Sequence, residues 1–350
     1  MIENYDLSTK IIALSGLKGM GRKRIADFLE DVFSKRGSYD FTFEDISGSK
    51  ISQLKNLIKT DLTKSNWDFQ CNKAKEIIDN SLEKKIATIN FNDAEYPKEL
   101  AVLPKKPLVL FVKGNIKLLT DTKKVAVIGT RQPSVFAQKM TSRITEQLSK
   151  LDYTVVSGLA VGCDSLAHEM ASITNGKTIA ILAHGLDVPI YPKVNRPLAD
   201  DILRNGGTLV SEYPIGTTLR PSYLVERDEW QSGMSLGTIT IESSNSGGSR
   251  HATYKALEQD RVLAVLDHTL FKNGKGWQVY FSNDSAISLN QQLLAEKKAF
   301  PLYSLDSIFE FDKEMQSIKE KVNKKYSRIT TNKTIVTTNK QDNIIQTSLF

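Results

Sequence analysis

Between Lys123 and Leu266 the chain alternates short runs of β-branched and aliphatic residues with stretches of helical length, and this alternation restricts its fold more than any other feature. The runs are Val125 to Gly129 (VAVIG), Tyr153 to Gly158 (YTVVSG), Thr178 to Ala183 (TIAILA), Thr208 to Glu212 (TLVSE), Thr238 to Ser243 (TITIES) and Val262 to Leu266 (VLAVL). Strands this continuously apolar need cover on both faces, and connections long enough for a helix make successive strands parallel. The pattern predicts an α/β fold: a doubly wound parallel sheet flanked by helices.

The flanks read differently. From about Leu7 to Ile89 the apolar residues fall at helical spacing, with Ile11, Ile12 and Leu14 before a glycine turn and Ile25, Phe28, Leu29 and Val32 after it. Prolines at 97, 104 and 107 break the stretch that follows. These shifts divide the chain into a small helical N-terminal domain (1–90), an α/β domain (91–300, with 91–122 as a lead-in), a helical extension (301–326) and a tail (327–350). The tail is rich in Thr, Asn and Lys, and its few large apolar groups predict disorder. No internal repeat is evident.

A chain of 350 residues with 40% hydrophobic content can bury a full core. No apolar run reaches the ~18 residues that cross a bilayer. The opening MIENYDLSTK lacks a basic-then-apolar leader, so a cytoplasmic protein without a membrane partner is expected. Cys71 and Cys163 have no metal-ligand spacing, which predicts buried, reduced thiols and no metal. The net charge of +7 suits a polyanionic partner, although a Lys-rich composition also arises from codon bias.

Three glycine-containing segments follow predicted strands: Gly129-Thr130-Arg131; Ser157-Gly158-Leu159-Ala160 with Gly162 and Asp164; and Ser246-Gly247-Gly248-Ser249. In a parallel sheet these converge on one rim, where helix N-termini offer free N–H groups to an anion. Glycine permits close approach of backbone, hydroxyls add hydrogen bonds, and Arg131 can clamp a phosphate. Gly-Ser turns also serve simply to lead strands into helices. Neither G-x-x-x-x-G-K-[ST] nor G-x-G-x-x-G is present at the first turn, so ATP hydrolysis and NAD chemistry are disfavoured and no cofactor is expected.

The run VVSGLAVGCDSLAHEMA, then TIAILAHGLDVPIYPKVNRPLADDILRNGGTLVSEYPIGT, resembles the central block of the DprA/Smf family. YPKEL (Tyr96 to Leu100) leading into PLVLFVKGN (Pro107 to Asn115) and the turn Gly129 to Arg131 resemble it too. The resemblance implies an extended Rossmann-like domain that binds single-stranded DNA, forms a homodimer and hands the strand to a RecA-type recombinase. It carries over Gly129, Thr130, Arg131, Ser157, Gly158, Gly162, Asp164 and His168 as site residues. Gly185, Tyr191, Pro192, Ser211 and Glu212 also match, some of them in service of the fold. Asp164 and His168 would share a helix face, but no nucleophile accompanies them, and no catalytic residue is assigned.

The chain departs from the family where an Arg-Asn-Arg turn is usual: it reads Arg227-Asp228-Glu229, and a carboxylate at 229 would repel a phosphate. Ser246, Gly247, Gly248, Ser249 and Arg250 form an altered Ser-Gly-Ser loop, in which Arg250 and His251 restore positive character. Leu266-Asp267 stands in place of a closing Pro-Gly. The family's common C-terminal winged helix is not seen.

GLKGMGRKRIADFL resembles a helix-hairpin-helix unit, in which Lys18, Gly19, Gly21, Arg22, Lys23 and Arg24 would contact DNA phosphates. An ordinary helical corner with solvated lysines fits the same residues. The terminal QTSLF resembles the peptide by which replication and repair proteins dock on the bacterial sliding clamp, with Gln346, Leu349 and Phe350 as anchors. The leading expectation is therefore a non-enzymatic single-stranded-DNA-binding protein of recombination, transformation or repair. An alternative is a nucleotide-binding sensor or nucleotide-processing enzyme of phage defence or a toxin-antitoxin system, in which Glu229 or Glu242 would contact ribose or activate water. A third is a clamp-recruited adaptor.

Overall fold

The computed structural model describes residues 6–268 and 284–347. The chain forms two compact units, one comprising Met1–Asp93, Pro104–Leu110 and Lys324–Phe350, the other Ala94–Leu103 and Phe111–Asn323.

The first unit contains helices α1 (Leu7–Gly16), α2 (Arg22–Arg36), α3 (Phe43–Ser47), α4 (Ser52–Thr60) and α5 (Lys64–Glu83), followed by strand β1 (Ile86–Asn90). Asp6 caps α1 by accepting from the Thr9 amide at 2.7 Å. Gly37 ends α2 in the left-handed conformation, φ 71°, which glycine adopts without a Cβ clash. The apolar stripe expected on α2 is buried, with Ile25, Phe28, Leu29 and Val32 packed inside and Phe28 edge-on to Phe41 at 5.0 Å. Ile12 is only partly covered, whereas Ile11 and Leu14 are in the core.

The second unit is the predicted α/β domain. Its elements are α6 (Lys98–Ala101), β2 (Val109–Gly114), β3 (Lys124–Ile128), α7 (Val135–Lys150), β4 (Thr154–Ser157), α8 (Cys163–Thr174), β5 (Thr178–Leu182), α9 (Arg196–Arg204), β6 (Thr208–Ser211), α10 (Pro221–Gly233), β7 (Gly237–Thr240), α11 (Arg250–Glu258), β8 (Val262–Leu266), α12 (Ser288–Ala295) and β9 (Phe300–Leu302). Its strands lie in the order β2-β6-β5-β4-β3-β7-β8-β9. All six predicted runs are strands, and their neighbours pair in parallel, with Val125 opposite Val155, Val127 opposite Ile239 and Ile181 opposite Val210. β2 and β9 were not expected. The Pro104 and Pro107 breaks hide β2 in the sequence, yet it runs antiparallel to β6, with Phe111 opposite Ser211.

Beneath the sheet, Val125, Val127, Val155, Ile239 and Ile241 pack against Phe136 and Ile144 of α7 and Ala167 and Ala171 of α8. Small residues on α8 let that helix sit close to the strands. At the edge of the same layer Lys124, fully buried, pairs with Glu99 at 2.9 Å and donates to the carbonyls of Leu119 and Asp121.

Helix α13 runs from Leu305 to Thr347. Its range takes in the tail that begins at residue 327. No Gly or Pro falls in its span, and Ile308, Phe311 and Met315 anchor its start in the core, so a formed helix propagates without renewed nucleation.

Candidate nucleic-acid interface

The chain passes from β3 outward through β4, β5 and β6, then returns to β7 on the other side of β3. Such a reversal opens a crevice at the carboxyl ends of the strands, because the helices following the adjacent strands β3 and β7 diverge to opposite faces. A pocket of about 450 Å³ occupies that crevice, within the range of small-ligand sites. Gly129, Thr130, Arg131 and Gln132 form one wall; Ala160 and Asp164 another; Ser243, Ser244, Gly247, Gly248 and Ser249 a third. The fourth is a face of α10, carrying Leu224, Arg227, Asp228 and Gln231.

Arg227 is buried in this site, 5% exposed. Its guanidinium points Nη1 at Gly158, where an added Cβ would stand 1.2 Å from that atom. Nε is 3.6 Å from Asp228, too long for a hydrogen bond, and neither Nε nor Nη1 has a hydrogen-bond partner. Asp164 sits beside it and accepts from the Gly158 amide at 3.1 Å. Burial pushes the Asp164 carboxyl up to about 6, against the pull of Arg227. Asp228 is also raised by burial, and its Oδ1 accepts from Gln231 Nε2 at 2.9 Å. Arg131 is exposed at the mouth. Two arginines and two acids thus share one cleft.

Several residues expected at the site hold the fold together instead of lining the pocket. Ser157 is fully buried and donates to Val127 O at 2.7 Å. Gly162 adopts φ 88°, and a Cβ there would meet Thr130 O at 2.4 Å, so its role is close packing of two loops. His168 does not bond Asp164. Its Nδ1 lies 2.7 Å from Thr178 Oγ1, which itself donates to Val155 O, so Nδ1 carries the proton. Burial, with Arg227 nearby, drives His168 down to about 3 and leaves a neutral ring unsuited to acid-base work. Ser246 and Arg250 are exposed beside the pocket but outside its lining, with the Arg250 guanidinium 5.2 Å above the Tyr254 ring.

The acid at the rim is not the one the sequence singled out. Glu229 points to α11, where Lys255 stands 3.4 Å away, and it does not line the pocket. Asp228 does. Helical spacing carries the signal: 224, 227, 228 and 231 share a face that 229 leaves. Glu242 is likewise engaged, accepting from Ser134 N at 2.9 Å and lying 3.3 Å from His268 Nε2. Burial raises its carboxyl, but hydrogen bonds from His268 and Ser134 outweigh this and hold it below the usual range.

In the first unit, Gly19 adopts φ 77° in the turn between α1 and α2, and Gly21 is the N-cap of α2. Gly21 gives that helix no side-chain cap, and its first turn carries Arg22, Lys23 and Arg24 with no acid. Cations there oppose the helix dipole. Arg24 donates to Gly19 O, and Gln53 donates to Lys18 O at 2.7 Å. Gln346 falls in the last turn of α13, whereas Leu349 and Phe350 lie outside the described residues. Among the described residues, no three His, Cys, Asp or Glu side chains gather as metal ligands, and no helix is long and apolar enough to cross a membrane.

Fold and pocket together define a doubly wound α/β protein with a pocket at the switch point of its sheet. A family model described as DNA recombination-mediator protein A matches residues 87–298, and the chain belongs to that family, DprA/Smf. It is 33% identical over 189 residues to the DNA processing protein DprA of Bacillus subtilis, covering 54% of this chain and 63% of that one. With DprA of Streptococcus pneumoniae it shares 35% identity over 183 residues, 52% of this chain and 64% of the relative. The chain thus spans less than two thirds of the length of either curated relative. The X-ray structure of the S. pneumoniae protein superposes with a TM-score of 0.66 at 26% identity, covering 88% of this chain and 98% of that one. A structure of DNA processing protein A from Helicobacter pylori, described for its single-stranded DNA binding mode, gives a TM-score of 0.53 at 26% identity over 69% of this chain and 97% of that one.

Proposed function

We propose that this chain binds single-stranded DNA through the switch-point pocket and acts in DNA recombination, transformation or repair as a non-enzymatic mediator. The observation that carries this reading is the pairing of exposed Arg131 with buried Arg227 across a cleft also lined by Gly129-Thr130 and Gly247-Gly248, with open space beside Gly248. Arginine forks suit phosphate oxygens, and glycine backbone lets a strand approach closely. The relatives named for DNA processing and the H. pylori binding mode support the same ligand. The basic turn at Lys18, Gly19, Gly21, Arg22, Lys23 and Arg24 would add sequence-independent phosphate contacts. Homodimer formation, transfer to a RecA-type recombinase and clamp docking through Gln346, Leu349 and Phe350 complete the proposal. Fluorescence anisotropy of labelled single strands against salt tests it: affinity should fall steeply with ionic strength, and Arg131→Ala should weaken binding and lower the salt slope by about one. Absence of binding at low salt would overturn it.

One observation favours a second reading, a nucleotide-binding sensor or processing enzyme. Asp228 and Asp164 in the cleft are ill suited to a bare phosphodiester. Co-purification of a small nucleotide, lost on Arg227→Ala, would favour that reading over the first.

A further inference from the structure

The acids of the cleft have a chemical use that a phosphate site does not. We propose that the pocket seats an unstacked guanine, whose N1–H and N2–H donate to the Asp228 carboxylate, with Arg131 left to the flanking phosphate. This rests on the strand-binding reading above and names the base that the same site selects.

The walls combine two chemistries. Ile128, Ala160, Leu224, Ala252 and Ala286 supply apolar surface, which suits the faces of a planar ring and offers nothing to a phosphate. Around that surface stand a carboxylate and a guanidinium. Gln231 Nε2 holds Asp228 Oδ1 at 2.9 Å and so fixes the plane of the carboxylate. Hydrogen bonds to Gln231 alone leave Asp228 with open acceptor positions, and its side chain is 19% exposed, so they are reachable from the cleft.

A carboxylate accepts and cannot donate when ionised. Guanine presents two adjacent donors, N1–H and N2–H, on its Watson–Crick edge. Adenine and cytosine each present a single donor group, and thymine a single imino N–H between two acceptors. Asp228 therefore discriminates most strongly in favour of guanine. Burial raises the Asp228 carboxyl, and Arg227, packed against Gly158 and beside Asp164, opposes that rise with positive charge.

The test uses the full chain and dodecamers of thymidine with one central dG, deoxyinosine, dA or dC, read by competition anisotropy. Inosine lacks the 2-amino group, so it removes one donor without altering the protein. The expected order is dG above inosine above dA, with dG favoured over dA by about tenfold. Asp228→Asn should reduce that ratio to within about twofold, with thermal unfolding confirming that the variant is folded. Equal affinity for dG, inosine and dA in the wild type, or a dG preference retained by Asp228→Asn, would overturn the inference while leaving strand binding intact. Failure of every oligonucleotide to bind at low salt would instead remove the strand-binding reading. The guanine contact is then read by calorimetry with GMP, IMP and AMP, where equal affinities or no binding also overturn it.

Discussion

Gly158→Ala is the perturbation that most directly tests how the site is built. Gly158 does not occupy the left-handed region, so alanine meets no backbone penalty and the effect is steric. The new methyl carbon would stand 1.2 Å from Arg227 Nη1, 2.5 Å from its Cζ and 2.9 Å from Asp164 Oδ2. To regain van der Waals contact the guanidinium must retreat by about 2 Å. Overfilling a packed site costs about 1–3 kcal/mol. Separating Arg227 from Asp164, both buried, adds the cost of an uncompensated charge, and the sum expected is about 3–5 kcal/mol. Urea denaturation of wild type, Gly158→Ala, Arg227→Ala and the double variant measures it. If the guanidinium is the obstacle, the cost of Gly158→Ala falls below about 1 kcal/mol once Arg227 is alanine. A single Gly158→Ala variant within about 1 kcal/mol of wild type would refute the packing argument.

Three further outcomes follow from buried groups. Between about pH 4 and 6 folded Asp164 retains a proton that the unfolded chain has released, so its contribution to stability falls as pH rises; His168, held down to about 3 from 6.5, acts in the opposite sense over that interval. Asp164→Asn should leave stability climbing steadily from pH 4 to 6, and a profile parallel to wild type would contradict the assignment. Glu99→Ala strands the Lys124 ammonium with carbonyl partners only, and should cost about 3 kcal/mol in the same denaturation assay; a loss under about 1 kcal/mol would count against it. Cys71 and Cys163 are fully covered, and burial pushes both thiols up to about 12, so Ellman's reagent should find no reactive thiol in the native chain and two in urea. Rapid labelling of either cysteine in the native protein would show that its burial is wrong.

Much of the architecture was legible because the relevant physics is local. The VAVIG, TIAILA and VLAVL runs specify strands buried on both faces, and the intervening helical lengths specify parallel pairing. Ile25, Phe28, Leu29 and Val32 specify a helix through their spacing, and that stripe is buried as expected. The glycine turns after the strands also come together, since Gly129 to Arg131 and Gly247 to Ser249 line one pocket.

What the sequence by itself determined is therefore the sheet, the parallel sense of its six predicted strands and the edge where their glycine turns converge, because period and turn chemistry are written in consecutive residues. Tertiary structure decided which side chains at that edge remain available. Ser157 and His168 have suitable chemistry but are engaged by Val127 O and Thr178, partners about 30 and 10 residues away that no local pattern discloses. The rotation of α10 placed Asp228 in the cleft and turned Glu229 to Lys255. A helix advances about 100° per residue, so one position along the chain separates a group facing the ligand from one facing a neighbouring helix, and long-range packing sets that rotation.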